Sequence, residues 1–207
     1  MARQERAVRT RNALIESAAE LFDRDGFEVA SLATISARAG VSNGALHFHF
    51  SSKAALADAV GSAAAERLGR IVAQETKDAL QMLIDATHDL IRGLSQDVVL
   101  RAGFDLSDNL EHSGPGDDLR RIWQSWVEGI LERAAREGRL ASGVSAEDVV
   151  TAVVAATVGF ETLGSQDERW LSHGTLTRFW ALMLPRLVES SSLDVLVAAG
   201  SRGSGVR

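Results

Sequence analysis

The chain has 207 residues, 45% of them apolar and 24% charged, with a formal net charge of −6 and no cysteine. This is a globular composition, long enough to bury a real core in one large domain or in a small one fused to a larger one. It excludes disulfides, thiolate metal sites and cysteine nucleophiles, and no run of eighteen apolar residues offers a membrane span.

Charge is divided unevenly along the chain. Residues 1–53 hold seven Lys/Arg against six Asp/Glu, and the remainder holds fifteen against twenty-two. Arg3, Arg6, Arg9 and Arg11 stand against only Glu5 in the first eleven residues. A positive end on an acidic body suits an anionic partner at that end, the alternative being a basic tail that binds nothing. Met1-Ala-Arg-Gln-Glu-Arg lacks the apolar core of a signal peptide, so a cytoplasmic protein is the expectation.

Periodicity is helical almost throughout, and only two prolines occur, Pro115 and Pro185. Thr10 is a candidate N-cap for a first helix in which Leu14, Ala18, Leu21 and Phe22 share a face, and Gly26 stops it. Ser31 caps a short second helix, Leu32 to Ala39, ended by Gly40. Ser42 caps a third, through about His49, and Ser51-Ser52 open a fourth that carries Lys53 in its first turn and runs to about Thr76. Two short helices around a glycine turn are a helix-turn-helix pattern.

Longer helices are expected over 76–94, 97–110, 115–137, 145–165 and 171–188, with breaks at Gly114-Pro115-Gly116 and from Gly138 to Ser145. Val149 to Phe160 is apolar nearly all round, and Leu176, Phe179, Trp180, Met183, Leu184 and Leu187 give the last long helix a broad apolar surface. These last two long helices are expected to form a homodimer interface, the alternative being plain core. The fold expected is all-α: a three-helix DNA-binding domain over 1–52, a larger helical effector-binding and dimerisation domain over 53–190, and a flexible tail over 191–207.

The third helix presents Ser42, Asn43, Gly44, Ala45 and His47 on one small, polar face, with Leu46 and Phe50 turned inward. Such a helix enters a major groove, where Asn hydrogen-bonds base edges and an Ala methyl meets thymine. Ser42 at the helix start suits phosphate. Lys53 sits where a helix dipole favours acids, and a phosphate partner explains it. Ser31, Phe48 and the N-terminal arginines Arg3, Arg6, Arg9 and Arg11 complete the expected DNA-facing set, against double-stranded operator DNA. His47 and His49 are two apart on a helix and do not face each other, so no metal is expected.

In the acidic body Trp123 and Trp126 stand three apart, an aromatic pair that either stacks on a flat ligand or is core. Leu83, Phe104, Thr157, Val158, Phe160 and Trp180 are further candidate walls of an effector pocket, with Thr157 its hydrogen-bonding group. An enzyme reading, with His112 beside Asp105, Asp108 or Glu111, finds no nucleophile next to a base, so neither catalysis nor a cofactor is expected.

The run from Phe22 to Leu56 resembles the DNA-binding domain of the TetR family of one-component repressors, through Leu21-Phe22, Gly26-Phe27, Ile35, Ala39-Gly40-Val41-Ser42, Gly44, Leu46, Phe50, Lys53 and Leu56. Gly44-Ala45-Leu46-His47-Phe48-His49-Phe50, Val99 to Gly103 and Trp123 look like the gamma-butyrolactone receptor and pseudo-receptor group of Streptomyces. The resemblance implies a dimeric repressor of secondary-metabolite genes, released from palindromic DNA by a butyrolactone-like or antibiotic effector, with Trp123 lining the pocket. The alternative is a TetR-type regulator of a drug-efflux or unrelated metabolic operon. The family usually has tyrosine where this chain has His47, so that side chain is expected to face a phosphate. When protonated it makes a charge-assisted bond that tyrosine cannot.

Overall fold

Helix formers without a glycine or proline to interrupt them set the shape of the N-terminus. The computed structural model describes residues 2–74, 76–107 and 118–201. Its first helix, α1, runs Ala2–Asp25, with Thr10 inside it and not at its start. Arg-Gln-Glu-Arg-Ala-Val-Arg contains nothing that stops a helix, so the cap candidate is overrun. Leu14, Ile15, Ala18, Leu21 and Phe22 form its buried face. Gly26 ends it: its N–H reaches Phe22 O at 2.9 Å and its φ of +82° is one that glycine takes without strain.

Three serines start the next helices. Ser31 caps α2 (Leu32–Arg38), accepting from Thr34 N, and Ser42 caps α3 (Asn43–His49), accepting from Ala45 N. Ser52 Oγ accepts from Ala55 N at the head of α4 (Lys53–Val72). Aspartates do the same further on. Asp78 Oδ1 accepts from Leu80 and Gln81 at the start of α5 (Ala79–Gln96), and Asp97 Oδ1 accepts from Val99 and Leu100 at the start of α6 (Val98–Ser107). Then come α7 (Leu119–Arg136), α8 (Ala146–Gly164, capped by Ser145), a 3₁₀ turn at Glu168–Leu171, α9 (His173–Leu187, capped by Ser172) and α10 (Ser190–Leu193). The expected break at Gly114-Pro115-Gly116 lies outside the described residues, as do the adjoining ends of the helices expected at 97–110 and 115–137. All regular structure among the described residues is helical, and no helix there is long and apolar enough to cross a membrane.

The contacts divide the chain into two units, 1–67 with 97–119 and 68–96 with 120–207. In the first, α6 packs on α1, although α2 to α5 lie between them in sequence. Arg101 forks onto Asp23, Nε to Oδ1 at 2.9 Å and Nη2 to Oδ2 at 3.2 Å, and this pairing raises the guanidinium pKa further above its ordinary value. Gly103 lets α6 approach α4 so closely that an added Cβ would stand 2.2 Å from Ala64 Cβ. The contacts therefore place α6 and most of α4 with the helix-turn-helix, and the division falls elsewhere than residue 52.

In the second unit α5 is the central element, every residue from Ala79 to Ile91 being buried against neighbours that include α8, the 3₁₀ turn and α9. The segment expected to be a flexible tail is instead docked as far as Ser201. Gln81, Asp85 and His88, one turn apart on α5, bind Val197, Ser201 and Ala198. Sequence composition, rich in Ser, Gly and Ala, gave no sign of this because backbone groups make most of these bonds. Residues 202–207 lie outside the described residues.

Candidate nucleic-acid interface and effector core

Burial of Leu46 and Phe50 fixes which way α3 faces. Asn43, Gly44 and His47 are exposed on it and Ala45 is half-buried, while Phe48 projects with 82% of its surface in solvent. An exposed phenyl beside small and polar groups is a poor surface for water and a suitable one for the methyl-bearing floor of a major groove. Asn43 is not free: Ser36 Oγ, buried on α2, lies 2.8 Å from its Oδ1. The oxygen end of the amide is thereby anchored.

Lys53 is occupied in a way the sequence did not suggest. Its Nζ donates to Phe27 O at 2.8 Å and Glu28 O at 3.0 Å, and it lies 4.4 Å from the centre of the Phe27 ring. The lysine thus ties the start of α4 to the turn after α1, and no phosphate is needed to explain its position. Ser31 and Ser42 likewise spend their hydroxyls on helix caps, Ser31 Oγ also meeting Thr34 Oγ1 at 2.8 Å. Arg6, Arg9 and Arg11 are exposed along α1, with the Arg11 guanidinium 5.4 Å from the centre of the Phe50 ring. The side chain of Arg3 lies outside the described residues.

The second-unit residues expected to line an effector pocket are already engaged with protein partners, and Phe179 links Phe160 to Trp180, its ring 5.2 Å from that of Trp180. Trp123 is 1% exposed, stacks on half-buried Trp126 at 5.2 Å and 27°, and donates its indole N–H to Thr157 Oγ1 at 2.9 Å. Trp180, fully buried, donates to Thr87 Oγ1 at 2.7 Å, one turn along α5 from Leu83. Phe160 packs with Phe179 and Trp170, at ring distances of 5.6 and 6.3 Å, and Val158 is half-buried on the same helix. Phe104 belongs to the first unit, buried in α6. Thr87 and Ser36 were missed because a small hydroxyl within a helix carries no sequence signal for a partner on another helix. Of the enzyme reading, Asp105 is exposed on α6, and Asp108, Glu111 and His112 lie outside the described residues.

Residues 14–60 match the model of the TetR family of bacterial regulatory proteins. The chain is similar to the A-factor receptor protein of Streptomyces griseus, 29% identical over 194 residues, which spans 91% of this chain and 67% of that one. It is also similar to the HTH-type transcriptional regulator SrpR of Pseudomonas putida, at 26% identity over 86% of both chains. A solved gamma-butyrolactone receptor superposes with a TM-score of 0.80 at 28% identity, covering 94% of this chain and 96% of that one. The CprB protein of Streptomyces coelicolor, in complex with its operator sequence, gives a TM-score of 0.79 at 28% identity over 95% and 97%.

Proposed function

We propose that this chain, a TetR-type regulator by its N-terminal domain and its fold, is a dimeric repressor of secondary-metabolite genes that a small effector releases from palindromic operator DNA. The observation that carries this reading is the outward face of α3, where Asn43, Gly44, His47 and Phe48 are exposed over a core-anchored Leu46. Likeness to the A-factor receptor protein along nearly the whole chain supports the effector class, a butyrolactone-like signal or an antibiotic. Ser31, Ser42, Ala45 and the arginines of α1 complete the DNA-facing set. The serine-capped helix starts offer backbone N–H groups to phosphates, and the arginines supply charge.

Two copies related by a two-fold axis place their α3 helices in successive major grooves, roughly 34–36 Å apart. They pair through α8 and α9, where Leu163 and Leu182 stand exposed. The effector enters the core around Trp123, Trp126, Thr157, Val158, Phe160, Trp180 and Leu83. There it must compete with the bonds that the two tryptophans already make to threonines. A hundredfold loss of DNA binding requires the effector to prefer the released state by about 2.7 kcal/mol. Residues of α4 belong to both units, so this helix is a covalent route for that coupling.

The test is a mobility-shift titration with DNA upstream of the protein's own gene. It is repeated with a butyrolactone and with antibiotics of the producing strain. A shift abolished by one of these supports the reading and chooses between the two effector classes. A folded dimer that gives no shift at low salt would overturn it.

A further inference from the structure

The second unit holds a cavity of about 280 Å³ that uses neither α3 nor the tryptophan core. It is walled by the C-terminal half of α5, by Leu171 to His173, and by Ala199 and Gly200 of the docked C-terminal segment. That segment sets its chemistry. His88 Nε2 lies 2.9 Å from Ala198 O and His173 Nε2 lies 2.8 Å from Ala199 O. A carbonyl only accepts, so both neutral rings carry their proton on Nε2 and keep Nδ1 as an acceptor. Neither Nδ1 has a partner among the described residues. The rings sit 4.7 Å apart, and a Cβ added at Gly200 would stand 3.2 Å from His88 Cδ2. The Nε2–Cδ2 edge of His88 therefore faces the segment, and its Nδ1 edge is turned away.

Charge points the same way. Asp85 and Asp89 line the cavity, with Arg92, paired to Asp89, as the cation among them. Asp85 already accepts from Gln81 and from Ser201. The wall thus carries one net negative charge and two imidazole acceptors, with Ile91 and Leu171 as apolar surface. We propose that this cavity is a second small-molecule site, for a ligand the size of one sugar ring that bears a protonated amine, an amino sugar in chemical class. An ammonium group offers three donors and no acceptor, which matches the two Nδ1 atoms and the net charge. An anion would meet lone pairs and carboxylates. A neutral sugar would gain hydrogen bonds without the charge attraction. The volume is close to the lower end of ordinary ligand pockets, roughly 300 Å³.

Binding is measured without DNA, so the proposal stands or falls apart from the repressor reading. The full-length protein is titrated calorimetrically at pH 7 with glucosamine, glucose and N-acetylglucosamine. Glucosamine is expected to bind at least about tenfold more tightly than the two uncharged sugars. His173→Gln, at an exposed position, is expected to weaken glucosamine by about tenfold while leaving the thermal midpoint in place. Arg92→Gln removes the guanidinium that lines the cavity among the described residues and is expected to tighten glucosamine binding. Equal affinity for glucose and glucosamine, no glucosamine binding by the folded protein, or binding indifferent to both substitutions would overturn the proposal.

Discussion

The indole N–H of Trp123 on α7 and the hydroxyl of Thr157 on α8 are partners at 2.9 Å, both all but fully buried. The threonine passes its own proton back to its helix, with Val153 O at 2.9 Å and Val154 O at 3.0 Å. The pair is closed: donor, hydroxyl and carbonyl satisfy one another with no water required.

Thr157→Val keeps the shape and removes the acceptor. The Trp123 N–H is then left buried and unpaired, at a cost of about 1–3 kcal/mol. Chemical denaturation should show a lower midpoint with an unchanged slope. If Trp123 and Thr157 also hold the effector, the variant should need more effector to leave its operator. Unaltered stability would mean that another group reaches the indole.

Lys53→Met separates two roles for the ammonium. As the tie between α4 and the carbonyls of Phe27 and Glu28, its loss should lower the stability of the DNA-free protein by about 1 kcal/mol, discounted for its partial exposure. A pure phosphate contact would leave stability alone and only flatten the salt dependence of operator binding. Thermal melts without DNA, paired with shifts at several salt concentrations, distinguish them.

Phe48→Ala should weaken operator binding by about tenfold, or 1.4 kcal/mol, since a phenyl contact to a base methyl is lost. Because the ring is 82% exposed, the thermal midpoint should stay where it is. Direct titration of a fluorescent operator measures both affinities. A variant that binds as tightly as the parent would remove Phe48 from the interface.

Burial holds the His88 imidazole below its ordinary pKa of 6.5, and neighbouring His173 pushes the same way. The Ala198 carbonyl, Asp85 and Asp89 oppose the shift only in part. The folded chain therefore binds this proton less readily than the unfolded chain, and stability falls as the unfolded state takes it up. The contribution is intact above about pH 6.5 and is lost progressively down to and through the lowered folded value. Melting curves from pH 7.5 to 5 should decline, and His88→Gln should make the decline shallower. A variant with the parent's slope would place the effect on other groups.

Much of the first unit was legible because its rules are local. Ser31 and Ser42 cap the helices they precede, and Gly26 takes a positive φ just past Asp25. Leu46 and Phe50, four apart, point inward as spacing requires. What escaped reading depended on distant partners. Lys53 looks like an unsatisfied cation at a helix start until Phe27 and Glu28, some twenty-five residues earlier, turn their carbonyls to it. The row Gln81, Asp85, His88 sits one turn apart on the buried face of α5, which hints at a polar partner without identifying it. Val197 to Ser201, the partner, is more than a hundred residues away. Thr157 is expected from sequence as the hydrogen-bonding group of a pocket wall, and that it accepts from Trp123 could only come from the packing of α7 on α8.

The placement of Gly103 against Ala64, and of Arg101 against Asp23, has a consequence for how such a protein can be rebuilt. The unit that holds α3 is not a cassette that ends where the helix-turn-helix ends. The chain leaves it at residue 67 and comes back at residue 97 to complete it. A chimera joined just after the motif would carry α3 but lose the α6 surface that α1 leans on. On the proposed reading, exchange of operator specificity therefore has to proceed by substitution within α3, or by moving α6 together with its counterparts on α1 and α4.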